Sequence, residues 1–366
     1  MPARIALLLL PALLAAAPIS CRTQQAAGTG SEPPSEATKA TPDPSPADSS
    51  SASTDATAAT DTPTPTPDEP PAQAAGPRSV RVAKTIPVGK WPEEVAVLGD
   101  DAFVATSGSR VVRRVDLSTG TVEQSIRAGT FPVNIVTGSG SVWSVDYNSR
   151  RTLFEIDAAG KATRRGALPD HVEKLAFADG IVFALLAKKS SSVDSSVVRF
   201  DPKTRKQQRS VATGADSAGL AVGHGKVWAA AGGGVVVLSP EDLTIEARIP
   251  VPARLLELFT NGSSVYAASF SDGTYFRIDP TTLEITGPVE VGEPFVMAVQ
   301  DDAVVTLGHS GTLTIRDPKS GSARAQLSVG IPIQGVWMTW HGPDLLVTAH
   351  GATDEDDGSL YVLALE

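Results

Sequence analysis

From residue 79 onward a large residue inside a short alternating run returns seven times: Phe103, Trp143, Phe183, Trp228, Tyr266, Val305 and Leu346. The intervals are 40, 40, 45, 38, 39 and 41 residues, and the 288 residues from 79 to 366 divide into seven parts of about 41. Two further landmarks keep step. A glycine precedes a turn at Gly89, Gly129, Gly214, Gly292 and Gly330, the turn containing proline in all but the Gly214 case, with Leu168 and Pro252 in the equivalent places. An aspartate opens a tight turn at Asp116, Asp157, Asp201, Asp279 and Asp317, and Ser239 fills that place once. An Asp carboxylate there accepts backbone N–H groups of its own turn.

Runs such as "SVWSVD", "KVWAAA" and "SVYAAS" alternate with period two and are bounded by Gly, Asp and Pro, which predicts short strands. A unit of about 40 residues with four such strands cannot hide both faces alone. Stacking seven units around a ring buries them all. The expected fold is therefore all-β, a seven-bladed β-propeller over residues 79–366. The seventh unit ends at "GSLYVLALE" without an outer strand, and "SVRVAKTI" at residues 79–86 has the alternation to supply it.

The N-terminal quarter differs in composition. Residues 1–20 hold the apolar run "IALLLLPALLAAA" with Arg4 as the only charge, which reads as an export signal. Residues 22–78 contain no Val, Ile, Leu, Met, Phe, Tyr or Trp but eleven prolines. Such a segment lacks the apolar area to offset the entropy of ordering, so a disordered linker over residues 21–78 is expected. Between them stands Cys21, the one cysteine of the chain, which excludes an intrachain disulfide. The formal net charge is −10, of which the linker carries −5 from eight acids and three bases. A mildly acidic propeller with interspersed bases lacks the basic footprint of a nucleic-acid binder.

Two resemblances follow from these residues. Pro18-Ile19-Ser20-Cys21 resembles the lipobox of bacterial lipoproteins, which implies cleavage before Cys21, lipidation of its thiol, and anchoring to a membrane on the periplasmic or cell-surface side. Within the repeats, "TIPVGKWPEEVAV" followed by "AFVATSGSRVVRRVDLSTGTVEQSIRAG", with weaker copies at 265–292 and 304–330, resembles the YVTN family of exported seven-bladed propellers. That family implies the fold and a scaffold role with varied ligands.

In such a ring the loops between blades and those joining the second and third strands share one face at the channel mouth, the usual binding face of the fold. The inter-blade loops place Trp91, Glu93, Phe131, Asn134, His171, Glu173, Arg254, Glu257, Phe295 and Gln334 there as candidate binding residues, with Glu94 and Lys174 beside them. The second loop set adds Tyr147, His309 and His350, among others. This polar and aromatic mixture suits an envelope protein, a peptide, a glycan or a small molecule. None of the five histidines forms an HxH or HExxH pattern, and no cofactor motif is present. The alternative is enzymatic. His309 and His350 fall in equivalent loops of the sixth and seventh units, and a divalent metal held there would resemble streptogramin lyases, propellers that use His, Glu and Mg²⁺ in an elimination.

Overall fold

The computed structural model describes residues 79–147, 151–187, 195–214, 219–253, 257–293, 295–331, 334–353 and 356–366. The segments read as an export signal and a linker, Cys21 between them, and Arg254 lie outside the described residues. Those described form 28 strands and no α-helix, arranged as seven antiparallel four-stranded sheets. The innermost strands are β2 (Pro92–Leu98), β6 (Pro132–Gly138), β10 (His171–Ala178), β14 (Leu220–Gly223), β18 (Glu257–Thr260), β22 (Phe295–Val299) and β26 (Trp337–His341). Each contacts the next, and β26 returns to β2, so the ring is closed. The protein is a seven-bladed β-propeller.

The recurring large residue occupies the second strand of every blade and is at most 2 % exposed in all seven. It belongs to seven apolar clusters, one at each interface between neighbouring blades. Burying a side chain of that size contributes about 1.5–3 kcal/mol. The rings therefore recur because each blade has to be glued to its neighbour by the same device. The indole N–H groups of Trp143 and Trp228 are satisfied in the same way, by the carbonyl five residues earlier, at 3.2 and 3.1 Å.

The turn landmarks have equally local causes. The Asp116, Asp201, Asp279 and Asp317 carboxylates each accept two backbone N–H bonds within their own turn, at 2.7–3.3 Å. These bonds, led at Asp116 by the Ser118 hydroxyl, hold the four carboxyls below the usual carboxylate range, against the opposing effect of burial. The recurrent glycine sits where an outer strand crosses to the next inner strand. At Gly89 and Gly129 φ is +98° and +105°, a backbone region that side chains avoid. A Cβ at Gly129 would also fall 2.6 Å from that of Asp146.

Closure follows the sequence expectation. The strand β1 (Val80–Gly89) pairs along β28 (Gly358–Leu365), from Val80 opposite Leu365 to Gly89 opposite Gly358. Blade 7 thus takes three strands from the C-terminus and its outer strand from the N-terminal end of the domain. Ser79 and Glu366 exchange both backbone bonds at 2.9 and 3.0 Å. Because β28 leaves the mouth-side loop and β1 runs antiparallel to it, Ser79 lies on the rear face, opposite the mouth.

Candidate functional site: the channel and its mouth

Counting nine residues back from each large landmark gives Glu94, Asn134, Lys174, Gly219, Glu257, Val296 and Trp337. Strand register makes these equivalent, each lying two residues before the partner of its landmark. They form one ring around the channel just below the mouth. In blades 1 to 3 a β-bulge adds a residue here, between Pro92 and Val95, Pro132 and Ile135, and Val172 and Lys174. Bulges re-aim side chains, and here they precede the three polar members of consecutive blades. The absence of a side chain at Gly219 is enforced by crowding, since a Cβ would come within 2.8 Å of the Glu257 backbone.

Lys174 reaches across this ring. Its ammonium donates to Glu94 Oε1 at 2.8 Å and to Glu257 Oε2 at 3.1 Å, and stands 3.7 Å above the Trp337 ring centroid. One side chain from blade 3 thus ties blades 1, 5 and 7. The second Glu94 oxygen accepts the Ile135 N–H at 3.1 Å, which brings in blade 2. Lys174, Glu94 and Glu257 are all buried, at 9 %, 7 % and 5 % exposure. Burial by itself would depress the Lys174 pKa, but Glu257 and Glu94 together outweigh it and the net direction is upward. Two carboxylates share one ammonium, so a full negative charge would remain if both ionised. Burial, reinforced by the Glu94 charge and opposed by Lys174, pushes Glu257 up to about 7.

Above the ring the mouth is richest over blades 1 to 3. The Trp91 carbonyl accepts the Ser107 N–H at 3.0 Å, and Ser107 Oγ donates to Glu93 Oε1 at 2.7 Å. Burial pushes Glu93 up to about 6, the Ser107 bond only partly opposing it. In blade 2 the Phe131 N–H donates to the buried Asp146 at 2.9 Å, and the Phe131 carbonyl accepts the Tyr147 N–H at 3.0 Å. This lattice fixes a row of rings, Phe131 to Tyr147 at 6.2 Å and Tyr147 to His171 at 5.3 Å between centroids. Glu173, the extra residue of the third bulge, lies close enough for its charge to raise the Tyr147 pKa, after burial. Burial raises the Glu173 pKa as well.

The other predicted residues are distributed differently. Asn134 belongs to the channel ring at 8 % exposure, and its Oδ1 has no hydrogen-bond partner. Phe295 is 4 % exposed and packs edge-on against Phe270 in the apolar cluster between blades 5 and 6. Gln334 is exposed, its carbonyl accepting the His350 N–H at 2.9 Å. His309 is exposed in the blade 6 loop, whereas the half-buried His350 ring packs over Gly335. Among the described residues no group of three or more His, Cys, Asp or Glu side chains is placed to hold a metal. Below the ring, toward the rear, the inner strands of blades 5 to 7 line a cavity of about 220 Å³ that includes Phe259, Met338 and Trp340.

These ionisations give stability a definite pH profile. Glu93 and Glu257 bind protons more tightly folded than unfolded, so their contribution is full below the ordinary value of 4.5 and is lost as pH rises through about 6 and about 7. The turn aspartates act oppositely, contributing above 3.8 and losing that contribution as pH falls below it. Chemical denaturation is expected to show maximal stability near pH 5, falling by roughly 3–4 kcal/mol by pH 8. Glu93→Gln should flatten the part of that fall centred near pH 6. A curve that still rises from pH 5 to 8 would contradict these assignments.

Compared with known proteins, the chain matches no family profile and no curated relative.

Proposed function

We propose that this chain is an exported, lipid-anchored envelope protein whose propeller is a non-catalytic binding scaffold of the YVTN type, engaging its partner at the channel mouth. The observation that carries the binding reading is the cross-channel Lys174–Glu94–Glu257 contact. It commits the charged groups of the channel to one another and turns the mouth into a floor. What remains available above it is a shallow aromatic and acidic surface on rigid inter-blade loops, the kind of surface that recognises rather than transforms. Anchoring rests on Cys21 following an apolar signal-like run and preceding 57 residues without a large apolar side chain. Acyl chains contribute about 0.8 kcal/mol per buried CH₂, so two or three hold a protein on a membrane.

A single experiment in a bacterial host tests both parts. The full chain is expected to sediment with membranes and incorporate labelled fatty acid, and Cys21→Ala to abolish the label and release the protein. In-cell crosslinking should recover the same partner from both forms and lose most of it, tenfold or more, in a Trp91→Ala/Phe131→Ala variant that melts normally. An unlabelled chain ends the anchor. A partner profile indifferent to the mouth substitutions ends the scaffold reading.

A further inference from the structure

We infer that the blade 2–blade 3 sector of the mouth is a binding site for an alkylammonium or guanidinium group, such as a lysine or arginine side chain of a protein partner. The inference rests on the mouth being a binding face and names what it binds. Three independent features of this sector converge on a cation.

The first is an excess of acceptors. Glu173 sits beside Tyr147 on the wall of blade 3, half-buried, and among the described residues forms no hydrogen bond or ion pair. A carboxylate withdrawn from water without a donor is unstable unless something supplies one. The nearest buried ammonium, Lys174, is its immediate neighbour in sequence. It is spent on Glu94 and Glu257 on the other side of the strand.

The second is Asn134. It is more than nine-tenths buried in the ring beneath the mouth, and its Oδ1 acceptor is unpartnered. In the same ring Glu94 bonds an adjacent-blade N–H and Glu257 bonds Lys174, so Asn134 is the polar member left with an open acceptor.

The third is the row of rings. Phe131, Tyr147 and His171 stand 6.2 and 5.3 Å apart, tilted at 46° to one another, on strand ends held by backbone bonds and by Asp146. Of these, the Phe131 and Tyr147 rings offer negative faces at little entropic cost, and a cation beside such faces and a desolvated carboxylate gains from both. A neutral apolar guest would leave Glu173 and Asn134 unsatisfied, and an anion would meet the Glu173 carboxylate. The protein already contains the same recognition one layer down, where Lys174 lies between carboxylates and over the Trp337 ring.

The test uses the full chain at low salt and pH 8, titrated by NMR with N-acetyl-lysine N-methylamide, its arginine counterpart, and the neutral norleucine analogue. Both cations are expected to bind saturably with Kd of about 1 mM, the strength of a single charge-assisted anchor. Glu173→Gln should weaken them about tenfold and Tyr147→Leu about fivefold, in the range of one lost charge partner and one lost ring. Norleucine should not saturate. Equal binding of norleucine, unchanged affinity in Glu173→Gln, or no saturable binding of either cation overturns the inference. Since Glu173 has no partner to lose, the Gln variant keeps its fold, and its melt checks this. Partner recovery that still depends on Trp91 and Phe131 after such a negative result would leave the mouth as a binding face and remove only the cation.

Discussion

A chain lacking residues 79–89 is expected to lose at least 10 °C of melting temperature and to aggregate at concentrations where the intact chain stays monodisperse. Those residues are β1, and two of them, Ile86 and Val88, are buried at 3 % and 1 % in the cluster that joins blade 7 to blade 1. Losing these two side chains removes about 3–6 kcal/mol, and a domain of this size loses roughly 2 °C or more for each. The larger effect is architectural. Without β1 the ladder from Val80 to Gly89 is gone, and β28 becomes an edge whose backbone groups seek another chain. Removing residues 22–78 while keeping β1 should leave the melt unchanged, because that segment holds no large apolar residue to bury. Scanning calorimetry of the two deletions side by side decides the matter. A β1 deletion that melts like the intact chain would mean that the ring closes without it.

Lys174→Met is expected to cost about 3–5 kcal/mol at pH 8, the usual consequence of leaving a buried charge without its partner. The loss should shrink at pH 5, where the carboxyl of Glu257, pushed up to about 7, takes up a proton and no longer needs the ammonium. Glu257→Gln is the instructive contrast. It removes the surplus carboxylate, the one pushed up to about 7, and leaves a one-to-one pair with Glu94, so its cost should stay below about 1 kcal/mol. Adding Glu94→Gln and Glu257→Gln to Lys174→Met should recover most of what the single change lost. Urea melts at the two pH values check all four proteins. Equal costs for Lys174→Met and Glu257→Gln would show that the contact is held by packing rather than charge.

Much of the architecture was legible in the sequence because it is local and repeated. Phe103, Trp143 and Trp228 each mark a second strand, Asp116 and Asp279 each close their own turn, and the unpaired "GSLYVLALE" announced the need for β1. The channel was less legible because its key contacts are neither. Lys174 meets Glu94 across 80 residues and Glu257 across 83, between blades that are not neighbours. All three were placed at the mouth by their loops, and the strand bulges that turn Glu94 and Lys174 inward have no residue type that announces them. One signal was present. The spacing of nine residues before every landmark runs unbroken through Glu94, Asn134, Lys174, Gly219, Glu257, Val296 and Trp337, and reading it as a ring would have placed a lysine opposite two glutamates. Phe295 shows the converse limit, since a loop-end aromatic and a core aromatic look alike until the neighbouring blade is in place.

The direction of β1 has a consequence for the two faces of the disc. Its first residue, beside Glu366, is on the rear of the disc, and its last, Gly89, opens onto the mouth. Under the proposed anchoring, the pull of a tether would enter the disc at Ser79, from behind, like the stem of a flower. Under the same proposal, a partner approaching from the opposite side would meet Trp91, Phe131 and Glu173 without having to pass Ser79.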